Sequence, residues 1–231
     1  MRLSKIVVSL VMLGTVVAGS TNAQVIGAPV PSGSGNQFPF GSPVGGNKGT
    51  RYQQVYNANE FLSGLITGVR FFRTSATNGN GNVSDASWQF ALSTSHKAVN
   101  QLNTRNFNAN LGSDNTTVLA TSTAGLNVAF GSALTFNFDV PFYYDPKLGN
   151  LLLDIQLANI TKRGDVFFNS HFDSFGDTSS RAHDFGAGFT STGLVTEFLR
   201  APSTTVPEPS TYALMSAGLL AIAFAARRRK V

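Results

Sequence analysis

The densest run of side chains able to do chemistry is Asn169-Ser170-His171-Phe172-Asp173-Ser174-Phe175-Gly176-Asp177, with His183 and Asp184 shortly after. In extended chain, alternate residues share a face, which would set Asn169, His171 and Asp173 opposite Phe168 and Phe172. Carboxylates at Asp173, Asp177 and Asp184 would suit calcium, which takes several carboxylate and carbonyl oxygens. Their spacing matches neither the EF-hand loop nor the nonapeptide calcium repeats. The run reads more simply as a polar strand end with its surface loop, so no metal or other cofactor is assigned.

Hydrolysis makes stricter demands. A glycosidase needs two carboxylates facing one cleft, roughly 5 to 10 Å apart. Asp139 and Asp154 both fall on the wet faces of expected strands, but nothing brings them together. A serine triad needs Ser, His and Asp in one place. Serines abound here without a Gly-x-Ser-x-Gly elbow, and the three histidines have no common spacing. There is no cysteine, which excludes thiol nucleophiles, thiolate zinc sites and disulfides. No catalytic residue is assigned, and the chain is expected not to be an enzyme. Sugar binding asks less, chiefly an exposed aromatic ring. Tyr143 and Tyr144 are the candidate ligand surface, and Tyr52 and Tyr56 share a face with each other.

These residues must be held by strands. Leu65, Val69 and Phe71 fall on one side of an extended segment, as do Trp88, Phe90 and Leu92. Leu134, Phe136, Phe138, Val140 and Phe142 alternate with Thr135, Asn137 and Asp139; Leu151, Leu153, Ile155 and Leu157 alternate with Asp154 and Gln156. Period two means one buried and one solvated face. The breaks, such as Asn78-Gly79-Asn80-Gly81-Asn82 and Lys147-Leu148-Gly149-Asn150, are turn residues because Gly and Asn tolerate positive φ. The expected fold is all-β, an antiparallel β-sandwich of jelly-roll type over residues 48–200. Residues 24–47, with four prolines and six glycines, read as a linker, although Phe38 and Phe40 could pack on the domain edge.

The two ends differ from this body. Arg2 and Lys5 precede an apolar stretch from Ile6 to Ala18, so residues 1–23 read as a secretory signal peptide cleaved before Gln24. At the other end, a spacer over 201–205 leads to Val206-Pro207-Glu208-Pro209 and the uncharged run Ser210–Ala226. Ser210 is a suitable N-cap, and 210–226 is expected to be a transmembrane helix near the minimum spanning length. Arg227, Arg228, Arg229 and Lys230 would anchor its end in the cytoplasm by the positive-inside rule. The formal charge of +5 comes from these ends. Between Gln24 and Thr205 eleven basic residues balance eleven acidic ones, which argues against a nucleic-acid partner.

The order of Pro-Glu-Pro, apolar helix and basic cluster over 206–231 resembles the PEP-CTERM sorting signal. That resemblance implies recognition of Pro207, Glu208 and Pro209 by an exosortase, an integral-membrane cysteine protease that removes the tail. It also implies transient anchoring in the inner membrane, then delivery to the surface or exopolysaccharide matrix of a Gram-negative bacterium. Within the body, Tyr52-Gln53-Gln54-Val55-Tyr56, Pro141-Phe142-Tyr143-Tyr144-Asp145-Pro146 and Gly149-Asn150-Leu151-Leu152-Leu153-Asp154 are similar to segments of uncharacterised β-rich domains carrying such a tail. The expectation is a structural or adhesive surface protein. A carbohydrate-binding module for exopolysaccharide is the alternative, and a secreted hydrolase the third.

Overall fold

The computed structural model describes residues 23–28, 35–41, 50–74, 79–172, 177–184, 192–201 and 209–228. The signal-peptide reading of 1–23 therefore lies almost wholly outside the described residues. The body, within Thr21–Ala201, and the tail are two separate units.

Strands β1 (Gln24–Ile26), β2 (Gly35–Asn36), β3 (Arg51–Tyr56), β4 (Gly64–Phe72), β5 (Asn80–Asn82), β6 (Asp85–Ser95) and β7 (Thr116–Ser122) make up the first half of the body. The second half holds β8 (Asn127–Ala129), β9 (Ala133–Tyr144), β10 (Asn150–Lys162), β11 (Phe168–Phe172), β12 (Ser179–His183), β13 (Thr192–Leu194) and β14 (Thr196–Arg200). One sheet has the order β1-β14-β4-β9 and the other β12-β3-β10-β6-β7, with every pairing antiparallel. Numbering the eight main strands β1, β3, β4, β6, β7, β9, β10 and β14 in chain order gives sheets 1-8-3-6 and 2-7-4-5. That is the order of a jelly roll, two Greek keys wrapped into facing sheets. Strand β12 extends the second sheet, and β13-β11-β2 and β5-β8 are small accessory sheets.

The inner faces meet in one hydrophobic cluster that includes Val69, Trp88, Phe90, Leu92, Phe136, Leu151, Leu153 and Ile155. Alternation in the sequence places these residues correctly, as the strand period requires. It fails at two positions. Thr67 is skipped in the pairing of β4 with both neighbours, so Ile66 and Val69 point inward while Leu65 is exposed. Opposite it, Phe138 to Pro141 of β9 are unpaired with β4, and Val140 turns outward to solvent. A residue inserted into a ladder reverses the facing of everything beyond it.

The expected linker is corrected most sharply. Gln24, Val25 and Ile26 pair with Phe198, Glu197 and Thr196, so β1 is the edge strand of the first sheet. Phe38 and Phe40 are fully buried. The Phe40 ring lies 4.7 Å from Phe71, 5.3 Å from Trp88, 5.6 Å from Phe136 and 5.0 Å from Phe168. Glycine and proline content is an average over the segment. Two rings, each burying about 150–250 Å², outweigh that average for the residues around them.

Residues 96–115 cross the outer face of the second sheet. Val99, Leu102, Phe107 and Leu111 cover Val55, Leu152 and Ala182 in a second, smaller core. This is why Leu151 to Ile155 are buried without a break rather than alternately. Gly112 lets the crossing chain lie flat, since a Cβ there would come within 2.0 Å of the Thr94 carbonyl.

Among its described residues the tail forms one helix, α1 (Pro209–Arg228). It starts one residue before the expected N-cap Ser210. Proline suits that first position because the N–H it lacks would have no intrahelical partner. The reading of 210–226 as a transmembrane helix is not met: among the described residues no helix is long and apolar enough to cross a membrane. Ser216 and Gly218 interrupt the apolar sequence, which is continuous only from Leu219 to Ala226.

Candidate functional site

The two candidate tyrosines separate. Successive strand residues face opposite sides, so only one of an adjacent pair can meet solvent. Tyr143 is 62% exposed and sits directly across from Leu65, itself 43% exposed. Tyr144 is buried, with its ring edge-on to Phe61 at 5.2 Å and its hydroxyl donating to the Gly149 carbonyl at 2.7 Å. Burial, and then the neighbouring Asp145 carboxylate, raise the Tyr144 hydroxyl above the ordinary tyrosine range. The expected ligand surface is thus reduced to Tyr143 with Leu65.

Tyr52 and Tyr56 are also buried and offer no stacking surface. The Tyr52 hydroxyl donates to Gln54 Oε1, which also accepts from the Leu194 N–H at 2.8 Å. Loss of hydration pushes Tyr52 up to about 12, against the opposing pull of Arg181. An unfolded tyrosine ionises near pH 10. Between about pH 10 and 12 the unfolded chain therefore releases a proton that the folded chain retains, and stability falls as pH rises. Two pH units of such linkage amount to about 2–3 kcal/mol. Replacing Tyr52 with Phe is expected to make the fall of the urea midpoint across that window less steep, the remainder belonging to Tyr56 and Tyr144, which burial raises as well. An equally steep loss in the variant would assign the effect elsewhere.

Among the described residues the acidic run does not assemble. Asp173 lies outside the described residues. Asp177 is exposed, and its backbone carbonyl accepts from Asn57 Nδ2 at 2.7 Å. Asp184 accepts from the Thr50 N–H at 2.9 Å and from the Thr50 hydroxyl at 2.7 Å. His171 pairs with Gly193 across β11 and β13, and His183 is buried 6.1 Å from the Phe38 ring. Among the described residues no group of three histidines or carboxylates could hold a metal ion.

Asp139 and Asp154 are likewise apart, on different sheets. Asp139 is exposed in the unpaired stretch of β9. Asp154, expected on a wet face, is buried under the 96–115 crossing. There Arg51 donates to it through Nε at 2.9 Å and NH2 at 2.8 Å. The same guanidinium donates to Asn108 Oδ1 at 2.9 Å and lies 5.5 Å from the centre of the Phe107 ring. Gln53 donates to the Phe107 carbonyl and accepts from Asn110 Nδ2. The network pins the crossing to the sheet. Its signal in the sequence, Asp154 between Leu153 and Ile155, is the same as that of an ordinary solvated strand position.

Within the tail, Pro209 opens α1 and Arg227 and Arg228 close it, with Arg227 exposed. Leu214, Met215, Leu219, Leu220 and Ile222 are exposed along the helix. Pro207, Glu208, Arg229 and Lys230 lie outside the described residues.

Comparison with known proteins bears on the tail alone. Residues 205–230 match the family described as PEP-CTERM protein-sorting motif. No curated protein matches the chain. A solved structure, that of infectious bursal disease virus Gt strain, is similar at 14% identity and a TM-score of 0.23. The match covers 91% of this chain and 52% of that one, so the chain spans about half its length. A likeness at that score carries no argument about the body. Residues 205–230 are a PEP-CTERM protein-sorting motif, which marks an exported protein sorted by exosortase.

Proposed function

We propose that the body is a non-catalytic structural or adhesive protein of the outer surface or exopolysaccharide matrix of a Gram-negative bacterium, delivered there when exosortase removes the tail. The sorting motif is the observation that carries this reading. The body supports it in two ways. Of the two carboxylates weighed as an acid–base pair, Asp154 is buried in an ion pair with Arg51, and Asp139 is exposed on the other sheet. The last body strand, β14, is held between β1 and β4 and ends at Arg200, before the matched residues begin. Arg200 is fixed there by donating to the Leu62 carbonyl at 2.7 Å and to Gln24 Oε1 at 3.2 Å. Cutting within the motif leaves every sheet pairing intact. The carbohydrate-binding alternative has one observation in its favour, the exposed Tyr143–Leu65 pair on an outer sheet face.

Fractionation of cells making the wild type beside a variant with Pro207, Glu208 and Pro209 all changed to Ala tests the sorting. The wild type is expected at the surface as a form shortened by about the length of the motif. The variant is expected to keep its full length and to be missing from the surface fraction. Identical size and distribution of the two would remove the proposal.

A further inference from the structure

The outer face of the second sheet is only half covered. Beyond the 96–115 crossing it opens into a groove of about 520 Å³, lined by Ser87, Gln89, Ala120, Thr121, Ser122, Gln156 and Ala158 among others. The registers explain its shape. Gln156, Gln89 and Ala120 stand side by side across β10, β6 and β7, and the next row is Ala158, Ser87 and Ser122. Small side chains form the floor, and two amides rise at its edge. The pairing of β10 with β6 is then lost between Ala158 and Lys162, where Asn159 adopts a left-handed φ of 51°. Asparagine is among the few residues that take this conformation readily. A second groove of about 350 Å³ lies at this bend and shares Leu157 and Ala158 with the first.

Its chemistry is specific. The first groove has no charged side chain in its lining. Gln156 Nε2 donates to Asp154 Oδ2 at 3.1 Å, and Gln89 Nε2 donates to Thr117 Oγ1 at 3.3 Å. Each amide is thus fixed from behind by the sheet, with its carbonyl oxygen and second N–H left to serve a ligand. Paired donors and acceptors without charge match hydroxyl groups. A carboxylate or phosphate would meet no cation until Lys162 and Arg163, which bound the second groove.

We propose that this groove binds an uncharged polysaccharide chain, through hydrogen bonds from Gln89 and Gln156 rather than through ring stacking. The proposal rests on the adhesive reading above and gives it a site distinct from Tyr143. Affinity electrophoresis of the sandwich-containing chain in gels cast with dextran, mixed-linkage β-glucan or galactomannan tests it, with polygalacturonate as the charged probe. Retardation by at least one neutral polymer, persisting at about 0.5 M salt, is expected. Ala158→Trp fills the groove, and the Gln89→Ala, Gln156→Ala pair removes its amides. Both should weaken retention about tenfold or more. Ala158→Trp, at an exposed position, should leave the melting temperature unchanged, whereas the double variant should lower it modestly because the buried Asp154 loses a donor, so retention is compared below both transitions. Tyr143→Ala should bind as the wild type does. Failure of every neutral polymer, retention by polygalacturonate alone with loss in salt, or equal binding by the groove variants would overturn the proposal. A dimer in size-exclusion chromatography that Ala158→Trp dissociates would overturn it too, by making the groove a contact between copies. Surface delivery is read separately by fractionation, so the sorting function can stand while the groove fails.

Discussion

Phe40→Ala is expected to destabilise the body by about 3–5 kcal/mol, the usual range for deleting a buried aromatic ring. Phe40 is wholly buried and touches rings from both main sheets and from β11: Phe71 and Phe136 on one side, Trp88 on the other, and Phe168. These neighbours belong to strands fixed by their own ladders, so they cannot collapse into the space left behind. The Phe40 carbonyl also accepts from the Ser84 N–H at 2.7 Å, a bond the substitution keeps only if the segment stays seated. Domains of this kind have a total stability of about 5–15 kcal/mol, so this one ring accounts for a large share. Equilibrium urea unfolding should show the midpoint falling steeply. Val25→Ala, on an exposed edge position, should change it by less than about 0.5 kcal/mol. A loss below about 1 kcal/mol for Phe40→Ala would place the ring outside the core.

The second large effect is expected at Asp154. Removing this carboxylate by Asp154→Ala leaves the Arg51 guanidinium, mostly covered, without its bidentate partner, and deprives Gln156 of an acceptor. Breaking a buried pair from one side costs about 3–5 kcal/mol, because the surviving charge stays desolvated. Arg51 is 19% exposed, which puts the expectation near the lower end. The double variant Arg51→Ala, Asp154→Ala should lose less than the sum of the singles, since no charge is then stranded. Hydrogen exchange adds a spatial check. Amides of residues 103–111 should exchange faster in Asp154→Ala, because Arg51 links Asp154 to Asn108 and Phe107 of the crossing. Protection there equal to wild type would mean that the ion pair does not hold the crossing.

Much of the architecture is legible in the sequence. Trp88, Phe90, Leu92, Leu134, Phe136, Leu151, Leu153 and Ile155 alternate in the chain and are buried in the fold. A period of two leaves little freedom once one face must leave water. The departures share a cause. Leu65 and Val140 face outward because extra residues in β4 and β9 interrupt the ladder, and nothing in their side chains announces a lost hydrogen bond. Asp154 and Tyr144 were expected at the surface by alternation or by polarity. Asp154 is buried by a remote segment that crosses over it, and Tyr144 by the inward turn of β9 and the turn that follows.

What the sequence determined by itself is the tail, the neutrality of the body and its all-β character. The tail is a contiguous signal read in linear order, so Pro207, Glu208, Pro209 and the terminal basic cluster identify it without any fold. Tertiary structure decided everything that depends on residues far apart in the chain. It made β1 and β14, the first and last strands of the body, neighbours in one sheet. It buried Phe40 between strands that begin 24 or more residues later, tied Asp154 to Arg51, and set Gln89 beside Gln156 on an open shelf. Antiparallel pairing across a jelly roll joins positions with no local relation. Register, bulges and covering loops are properties of the closed sandwich and not of any segment within it.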